Sequence, residues 1–359
     1  MAQQKRQLAC LIAAGGTGGH VLPSLAVAEA LSARGVRVTF AGSPDRVEAR
    51  LVPESGYAFD AFTISGLPRR PGPALARALW RAALAPEACW GILARRRPDV
   101  VLGGGGYVAG PMVLAAALQR IPTALMEADA HLGLANRLAA PFARRVFLAF
   151  PVEGRAGRKY RVTGRPIPAR SRAVARDDAR RLFQLPLAGR VLLVFGGSQG
   201  AASLNELSVR SFGVDGPTVL HLSGERDFER LRDRVSRPDY RLLPYTDHFG
   251  AALAASDLVL ARAGGSVWEV AAAGVPALLV PYPHATADHQ TKNAAFFEAA
   301  GAAVLVPEPE VARVPELVHA LLADNARLLS MGDAMRRVAR PQAADEIAEE
   351  VVALAAARR

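Results

Sequence analysis

Short apolar runs alternate with longer amphipathic stretches along most of the chain. The runs are short and rich in β-branched residues, which is typical of buried strands, while stretches such as 22–34 and 111–120 repeat their apolar positions near every 3.6 residues. Strands alternating with helices predict βαβ units, in which helices cover both faces of a parallel sheet. The predicted strands of the first half are LACLIAA, VRVTFAG, DVVLGGGG, PTALME and RRVFLAF.

The pattern starts again in the second half. RVLLVFGGSQGAASLNELS at 190–208 repeats the layout of LACLIAAGGTGGHVLPSL at 8–25: an apolar strand, a glycine loop and a helix. Two such units predict two Rossmann-like domains, and 359 residues are enough for both. We expect the boundary near the turn-rich segment 161–189. Further strands are predicted at TVLHLSG, YRLLPY, DLVLARAGG and PALLVPYP, and the tail at 308–357 is predicted to be helical.

The composition adds charge and compartment. The formal net charge is +11, and 41 of the 44 basic residues are arginine. This excess fits either an anionic partner or the amino-acid bias of a GC-rich genome. Two cysteines make no disulfide framework, which favours a reducing cytoplasm. The basic, then apolar N-terminus resembles a signal peptide, but its apolar run is short and we interpret it as the first strand. No run reaches the roughly 18 apolar residues of a membrane span.

Three glycine loops, at 15–19, 103–106 and 196–200, follow predicted strands. Backbone N–H groups at a following helix N-terminus favour anions, and ligands of parallel sheets bind at this edge. One such loop can also serve tight packing, but three together predict a phosphate-bearing ligand. His20 stands where a P-loop needs lysine, and Val21 where the dinucleotide fingerprint needs a small residue. We find no motif with metal-ligand spacing and expect no metal.

A second group of polar residues follows Gly264 and Gly265. Glu269 lies one helical turn beyond this loop. A carboxylate there would repel phosphate but can accept hydrogen bonds from the diol of a ribose, unless it is simply a solvated helix residue. Downstream, amide and imidazole groups suit sugar hydroxyls, although Asp288 can equally be a helix N-cap. These residues are His284, Asp288, His289, Gln290 and Asn293.

Taken together, several motifs resemble the MurG family of glycosyltransferases in order and spacing, over about residues 8–305. They are GGTGGHVLPSLAVAEAL, ISGL, GGGGYVAGP, NRL, GGSQGA, RAGGSVWEVAAAGVPALLVPYP and DHQTKNA. The resemblance implies an α/β GT-B fold, in which two Rossmann-like parallel-sheet domains face a central cleft. The implied divisions are an acceptor domain at 1–163, a UDP-GlcNAc domain at 164–340 and a C-terminal helix at 341–359 that crosses back to the first domain.

The resemblance also implies the reaction. GlcNAc would pass with inversion from UDP-GlcNAc to the C4 hydroxyl of MurNAc in undecaprenyl-diphosphate-MurNAc-pentapeptide, without a metal or other cofactor. In the second domain, the glycine loop would approach the UDP diphosphate, Glu269 would bind the ribose, and the backbone near Thr246 would border the uracil. The implied donor residues are Gly196, Gly197, Ser198, Gln199, Thr246, Gly265, Ser266, Glu269, His289 and Gln290.

By the same resemblance, the first domain carries the acceptor and the reaction centre. His20 and Glu127 are the implied catalytic residues, with His20 in the position of a proposed general base. Histidine titrates near neutral pH and suits that role, but this residue can also cap the helix or bind phosphate. The implied acceptor and cleft residues are Gly15, Gly16, Thr17, Gly18, Gly19, Gly104, Gly105, Tyr107, Asn136 and Arg165.

Two segments depart from the family pattern. The family carries His-Glu-Gln-Asn after the fifth strand, where this chain has MEAD and keeps only Glu127. The family arginine expected near the nucleotide falls on Pro168, so Arg165 or Arg170 would have to replace it. An altered acceptor or a weakened enzyme remain alternatives, as do another GT-B UDP-sugar enzyme, such as an epimerase, and a non-catalytic nucleotide-sugar binding protein.

The lipid-linked acceptor directs attention to 64–97, which holds seven arginines and one acid. Basic residues interleaved with apolar ones predict an interfacial helix that favours anionic lipid, unless the helix packs on the core and only its basic side is solvated. We therefore expect a peripheral protein on the cytoplasmic face of the membrane, with cell-wall synthesis proteins as possible partners and no nucleic acid. The apolar members are Leu75, Leu79, Trp80, Leu84, Trp90, Ile92 and Leu93.

Overall fold

The computed structural model divides the chain into two units. One comprises Met1–Pro168 together with Pro341–Arg359, and the other comprises Ala169–Arg340. The structure describes residues 6–64, 72–168, 171, 174–197 and 200–358, with side chains omitted at 73–84.

The first unit contains a seven-stranded parallel sheet with the order β3-β2-β1-β4-β5-β6-β7. Parallel pairing is confirmed along the whole sheet, as the alternation of strands and helices predicts. The strands are β1 (Ala9–Ala14), β2 (Arg37–Gly42), β3 (Ala58–Ala61), β4 (Val100–Gly105), β5 (Thr123–Glu127), β6 (Arg145–Leu148) and β7 (Tyr160–Val162).

Helices cover both faces of this sheet. The even positions of β1 (Cys10, Ile12) pack with α1 and α14, while the odd positions, such as Leu11, pack with α3 and α4. This division follows from the two-residue period of a strand. The helices are α1 (Gly18–Ala33), α2 (Glu48–Glu54), α3 (Pro73–Arg96), α4 (Ala109–Leu118), α5 (Leu134–Ala139) and α14 (Ala343–Ala356), the last from the C-terminal end of the chain.

The second unit contains a six-stranded parallel sheet with the order β10-β9-β8-β11-β12-β13. Its strands are β8 (Val191–Phe195), β9 (Thr218–Leu222), β10 (Tyr240–Leu243), β11 (Leu258–Ala261), β12 (Ala277–Leu279) and β13 (Ala303–Leu305). Its helices are α6 (Arg176–Leu182), α7 (Ala202–Phe212), α8 (Glu225–Leu231), α9 (Phe249–Ala254), α10 (Val267–Ala273), α11 (His289–Ala299), α12 (Val314–Ala323) and α13 (Asn325–Val338).

The structure corrects part of the surface predicted at 64–97. Ile92 and Leu93 are 2% and 1% exposed, because they face the sheet and pack in its core. Trp90 is 49% exposed and remains a surface residue. The other apolar residues of that prediction (Leu75, Leu79, Trp80 and Leu84) lie outside the described side chains.

Candidate functional site

Each sheet has one point where the order of its strands reverses. In the first unit this point lies between β1 and β4, and in the second between β8 and β11. Loops that leave neighbouring strands in opposite directions open a crevice at the carboxyl edge, which is where ligands of such sheets bind. All three predicted glycine loops lie at these two points.

In the first unit, the glycines at the end of β4 make room for His20. A Cβ on Gly105, where φ is +105°, would lie 2.4 Å from Nδ1 of His20. A Cβ on Gly106 would lie 2.1 Å from the carbonyl oxygen of Gly15, and one on Gly104 would lie 2.1 Å from Oγ of Ser24. The glycine run therefore brings the backbone of β4 against the imidazole and against the β1–α1 loop.

Glu48, which the sequence analysis did not single out, holds the β1–α1 loop in place through hydrogen bonds. Its side chain is fully buried, and its carboxylate accepts hydrogen bonds from the backbone N–H of Gly16 at 3.0 Å and of Ser43 at 3.1 Å. A Cβ on Gly15 would lie 2.1 Å from Glu48 Oε1. Glu48 thus fixes the glycine loop and occupies one N–H that an anion could otherwise use.

The predicted catalytic residue Glu127 ends β5 and is 5% exposed. Its carboxylate accepts from the backbone N–H groups of Ala128, Asp129 and Gly133 and from Nδ2 of Asn136. Burial raises the pKa of Glu127, against the opposing effect of these hydrogen bonds. The arrangement makes Glu127 the organiser of the loop between β5 and α5, while Asn136 also donates to the carbonyl of Met126 at 2.8 Å.

Arg165 and Tyr107 flank the same loop. Arg165 is 9% exposed and donates from Nη2 to the carbonyl of Gly19, in the first turn of α1. The ring of Tyr107 lies against Gly16, whose Cβ would be 3.2 Å from Cε1 of the ring. A small cavity of about 10 Å³, roughly the size of one water, brings predicted site residues together. Gly19, Gly104, Glu127 and Arg165 are among its lining residues.

In the second unit, the loop after β8 is packed closely at one end and open at another. A Cβ on Gly200 would lie 2.3 Å from the carbonyl oxygen of Ser223, whereas a Cβ on Gly197 would meet nothing within 4 Å. Gly196 abuts the backbone of Ala201, so that the chain turns sharply into α7. The remaining predicted diphosphate residues, Ser198 and Gln199, lie outside the described part of the chain.

A buried polar network stands behind this loop. Nδ2 of Asn205, on α7, donates to the carbonyl of Ser223 at 2.8 Å and to Asp227 Oδ2 at 2.9 Å. Both amide hydrogens are then used, so Oδ1 of Asn205 accepts from Nε2–H of His221, and Nδ1 of His221 accepts from the hydroxyl of Tyr240. Burial lowers the pKa of His221 to about 3, and the ring is neutral in the folded protein.

Glu269 lies on α10, directly beyond the loop after β11 that contains Gly265 and Ser266. Its Oε1 accepts a hydrogen bond from Oγ of Ser171, a residue of the segment that connects β7 with α6. The carboxylate is therefore held by a partner from a distant part of the second unit. Glu269 is thus a hydrogen-bond acceptor one helical turn from the glycine loop.

The segment with His289 and Gln290 forms the start of α11. The two residues before it, Ala287 and Asp288, both have positive φ (52° and 53°), which is strained for side chains other than glycine. Hydrogen bonds hold this backbone conformation in place: Gln290 Oε1 accepts from the backbone N–H of Tyr282 at 2.9 Å, and the Thr291 hydroxyl donates to the carboxylate of Asp288. Asp288 is the N-cap residue of α11, although its side chain bonds no backbone N–H there.

Thr246 precedes α9, and its hydroxyl accepts from the backbone N–H of His248 at 3.0 Å, which closes a turn.

Arg262, which the sequence analysis did not single out, directly follows β11 and donates hydrogen bonds to Glu308 and to Ser203 at the start of α7. Burial tends to raise the pKa of Glu308, but the hydrogen bonds from Arg262 and Ser203 outweigh it and lower the pKa.

Within the described residues, no group of three or more His, Cys, Asp or Glu side chains could hold a metal ion. Over the same part of the chain, no helix is long and apolar enough to cross a bilayer.

Two parallel-sheet α/β domains with glycine loops at their switch points define a GT-B glycosyltransferase fold. The chain belongs to glycosyltransferase family 28: the N-terminal domain of that family matches residues 10–148, and its C-terminal domain matches 191–347.

Several curated relatives carry the name UDP-N-acetylglucosamine–N-acetylmuramyl-(pentapeptide) pyrophosphoryl-undecaprenol N-acetylglucosamine transferase. The protein from Halorhodospira halophila is 42% identical over 94% of this chain and 96% of its own length. The protein from Halothermothrix orenii is 38% identical over 92% and 94%, respectively. Among solved structures, MurG of Acinetobacter baumannii is similar with a TM-score of 0.76 and 29% identity, covering 97% of this chain and 99% of that one.

Proposed function

We propose that this protein is a hexosyltransferase that moves GlcNAc from UDP-GlcNAc to the C4 hydroxyl of MurNAc in undecaprenyl-diphosphate-MurNAc-pentapeptide, a step of peptidoglycan synthesis. The observation that carries the proposal is the identity of 38–42% with transferases of that name over more than nine-tenths of the chain. We propose a separate part in the reaction for each domain, supported by the glycine loops at both switch points.

The second unit is proposed to bind the donor. Gly197 presents open backbone beside α7, where a diphosphate can approach the N–H groups of the loop and helix. Glu269, held by Ser171, accepts from the ribose hydroxyls. The sugar hydroxyls contact His289 and Gln290, which open α11, and the uracil lies near Thr246. Gly196, Ser198, Gln199, Gly265 and Ser266 complete the proposed donor site.

The first unit is proposed to bind the acceptor diphosphate at the start of α1. His20 lies at the end of this loop and takes the proton of the C4 hydroxyl as its oxygen attacks the anomeric carbon. The bond between that carbon and the UDP oxygen breaks, and the configuration inverts. Backbone N–H groups of the donor loop stabilise the charge on the departing UDP. Arg165 and Tyr107 flank the acceptor, and Glu127 and Asn136 position the neighbouring loop.

The test is incubation of the full-length protein with radiolabelled UDP-GlcNAc and a lipid-linked MurNAc-pentapeptide analogue. We expect a labelled lipid-linked disaccharide and no turnover of UDP-GlcNAc without acceptor. Turnover without acceptor would indicate an epimerase, and donor binding without any product would indicate a binding protein. Either result contradicts the proposal.

The role of His20 is tested with His20→Ala. Loss of a general base typically costs 10²–10⁴-fold in rate, so we expect at least a hundredfold fall in kcat with unchanged donor affinity. His319→Ala serves as the control, since His319 is an exposed histidine on α12. A fall of less than tenfold would assign His20 to helix capping or phosphate binding instead.

Residues 64–97 are proposed to dock on the cytoplasmic leaflet, which would make the enzyme a peripheral membrane protein. Exposed Trp90 and the arginines of this segment support the proposal. Co-sedimentation with vesicles containing anionic phosphatidylglycerol should fall when Leu75, Leu79 and Trp80 are changed to Asp. Unchanged sedimentation of that variant would contradict the proposal, and a disaccharide assay with a water-soluble acceptor controls for folding.

A further inference from the structure

A cavity of about 440 Å³ opens on the second unit, at the edge of the sheet opposite the donor loops. Arg190, Asp257 and Pro276 line it, and they directly precede β8, β11 and β12. The glycine loops of the donor side leave the other ends of these parallel strands, about 16 Å away for a five-residue strand. The cavity is therefore separate from the proposed donor site.

Arginine side chains converge on this cavity around one carboxylate. Asp257, whose side chain is 6% exposed, accepts from Arg176 and Arg190 at 2.8 Å and from Arg180 at 3.1 Å. It also accepts from the backbone N–H of Val191 at 2.9 Å. The carboxylate carries one negative charge, so it cannot neutralise all three guanidinium groups.

A further guanidinium comes from α13. Arg336 is 54% exposed and pairs with Asp333. Its Nη1 lies against Gly274, since a Cβ on that glycine would be 2.4 Å from it. The charged residues that line the cavity are three arginines (176, 190 and 336) and Asp257, which gives its wall a formal charge of +2.

The remaining lining suits a small organic anion. Leu253, Val275 and Leu328 form an apolar wall, while the side chains of Arg176 and Arg190 are 42% and 41% exposed, so a ligand in the cavity can reach them. Cavities of about 300–1,000 Å³ with an apolar wall and few charged groups are typical of small-molecule sites. Guanidinium groups match phosphate oxygens in geometry as well as in charge.

We propose that this cavity, the α6–α13 pocket, is a second anion site that binds a soluble phosphate dianion, such as a phosphomonoester or a diphosphate. The pocket touches the C-terminal end of α10, the helix that carries Glu269, and the first residue of α6. A ligand here therefore contacts two elements of the donor domain without entering the donor loops.

The probe is inorganic pyrophosphate, titrated calorimetrically into the full-length protein in the presence of saturating UDP. Arg336→Glu is the test variant, because among the described residues Arg336 forms an ion pair only with the exposed Asp333, and the change leaves the Asp257 cluster intact. The matched control is Arg313→Glu, which changes the net charge equally and breaks an equivalent i,i+3 pair with Glu310 elsewhere on this unit.

We expect pyrophosphate affinity to fall at least tenfold in Arg336→Glu and less than twofold in Arg313→Glu. Hydrogen exchange should show pyrophosphate protecting the start of α13 in the wild type and not in Arg336→Glu. Equal losses in both variants, no loss in either, or no pyrophosphate binding by the wild type would each overturn the proposal. Arg190→Gln provides a second variant should Arg336→Glu fail to fold.

A lipid headgroup is the other source of a phosphate dianion. Vesicles of phosphatidylcholine with phosphatidic acid distinguish a lipid headgroup from a soluble ligand. If the ligand is soluble, the fraction of protein that sediments with these vesicles should be the same for Arg336→Glu and Arg313→Glu. Vesicle binding that depends on Arg336 without pyrophosphate binding would contradict a soluble ligand.

Discussion

The two switch points have the same topology but differ in the charge already present beneath their loops. Under the β1–α1 loop lies the buried carboxylate of Glu48, which accepts from Gly16 and Ser43. Under the β8–α7 loop lies the neutral side chain of Asn205, which is held between His221 and the carbonyl of Ser223. The carboxylate in this second network, Asp227, accepts from Nδ2 of Asn205 and is paired with Arg226.

This difference indicates how each loop treats an anion. A carboxylate that already accepts from a loop N–H repels a phosphate at that position. In the proposed donor site, the neutral side chain of Asn205 adds no charge that would repel a diphosphate at the N-terminus of α7. In the proposed reaction, the first loop supports the catalytic residue and the second binds the donor diphosphate.

The largest effect should come from Gly105→Ala. The new methyl group would lie 2.4 Å from His20 Nδ1 and must displace the imidazole. We expect kcat to fall more than about a hundredfold, the range for loss of a catalytic base. Gly154→Ala is the control, because Gly154 also has positive φ (+68°) but no neighbour within 4 Å of the new Cβ. Equal loss in both variants would show that backbone strain, rather than displacement of His20, is responsible.

An intermediate effect should come from Glu48→Gln. The new side-chain amide has one oxygen that can accept, but its NH2 group would face the other backbone N–H, so one of the hydrogen bonds from Gly16 and Ser43 is lost. Loss of a hydrogen bond to a buried charged group costs about 1.5–3 kcal/mol. We expect a roughly tenfold fall in kcat/KM for the acceptor, and an unchanged KM for UDP-GlcNAc. Glu54→Gln, on the exposed end of the same helix, should change neither. A raised donor KM would contradict the separation of the two loops.

The smallest effect on activity should come from His221→Gln, which is expected to show itself in pH dependence. The pKa of His221 is lowered to about 3 in the folded protein, from 6.5 for an exposed histidine. As pH falls below 6.5 the unfolded chain binds a proton that the folded protein does not, so the free energy of unfolding falls by about 1.4 kcal/mol per pH unit.

Denaturant titrations of the wild type and His221→Gln at pH 7 and pH 5 measure this slope. The wild type should lose about 2 kcal/mol more than the variant over that interval. His319→Gln, which removes an exposed histidine, should retain the slope of the wild type. Parallel losses in the wild type and His221→Gln would show that another group controls acid stability.

Much of the fold followed from the spacing of apolar residues, because buried parallel strands and amphipathic helices have distinct periods. The short edge strands β3 and β7 were missed. Ala58–Ala61 is only partly buried and Tyr160–Val162 is largely exposed, so neither forms an apolar run. The start of α1 at Gly18 was also missed, since its first residues are glycines without apolar periodicity.

The candidate site was predictable where chemistry is local and hidden where it depends on distant contacts. The glycine loops could be located because they directly follow strands. Glu48 could not, since nothing in its own segment shows that a loop from β1 folds over it. The same holds for Ser171, 98 positions from its partner Glu269, and for Ile92, whose buried side was confused with a surface stripe.

The glycine run that ends β4 has an evolutionary consequence. Every substitution of a glycine adds at least a Cβ, and at positions 104, 105 and 106 that atom meets three different partners within 2.4 Å. A single substitution at any of these positions therefore creates a steric clash. Removing the clash would require a second change in Ser24, His20 or the β1–α1 loop. We expect this strand end to vary only through paired changes, while glycines such as Gly154 drift one codon at a time.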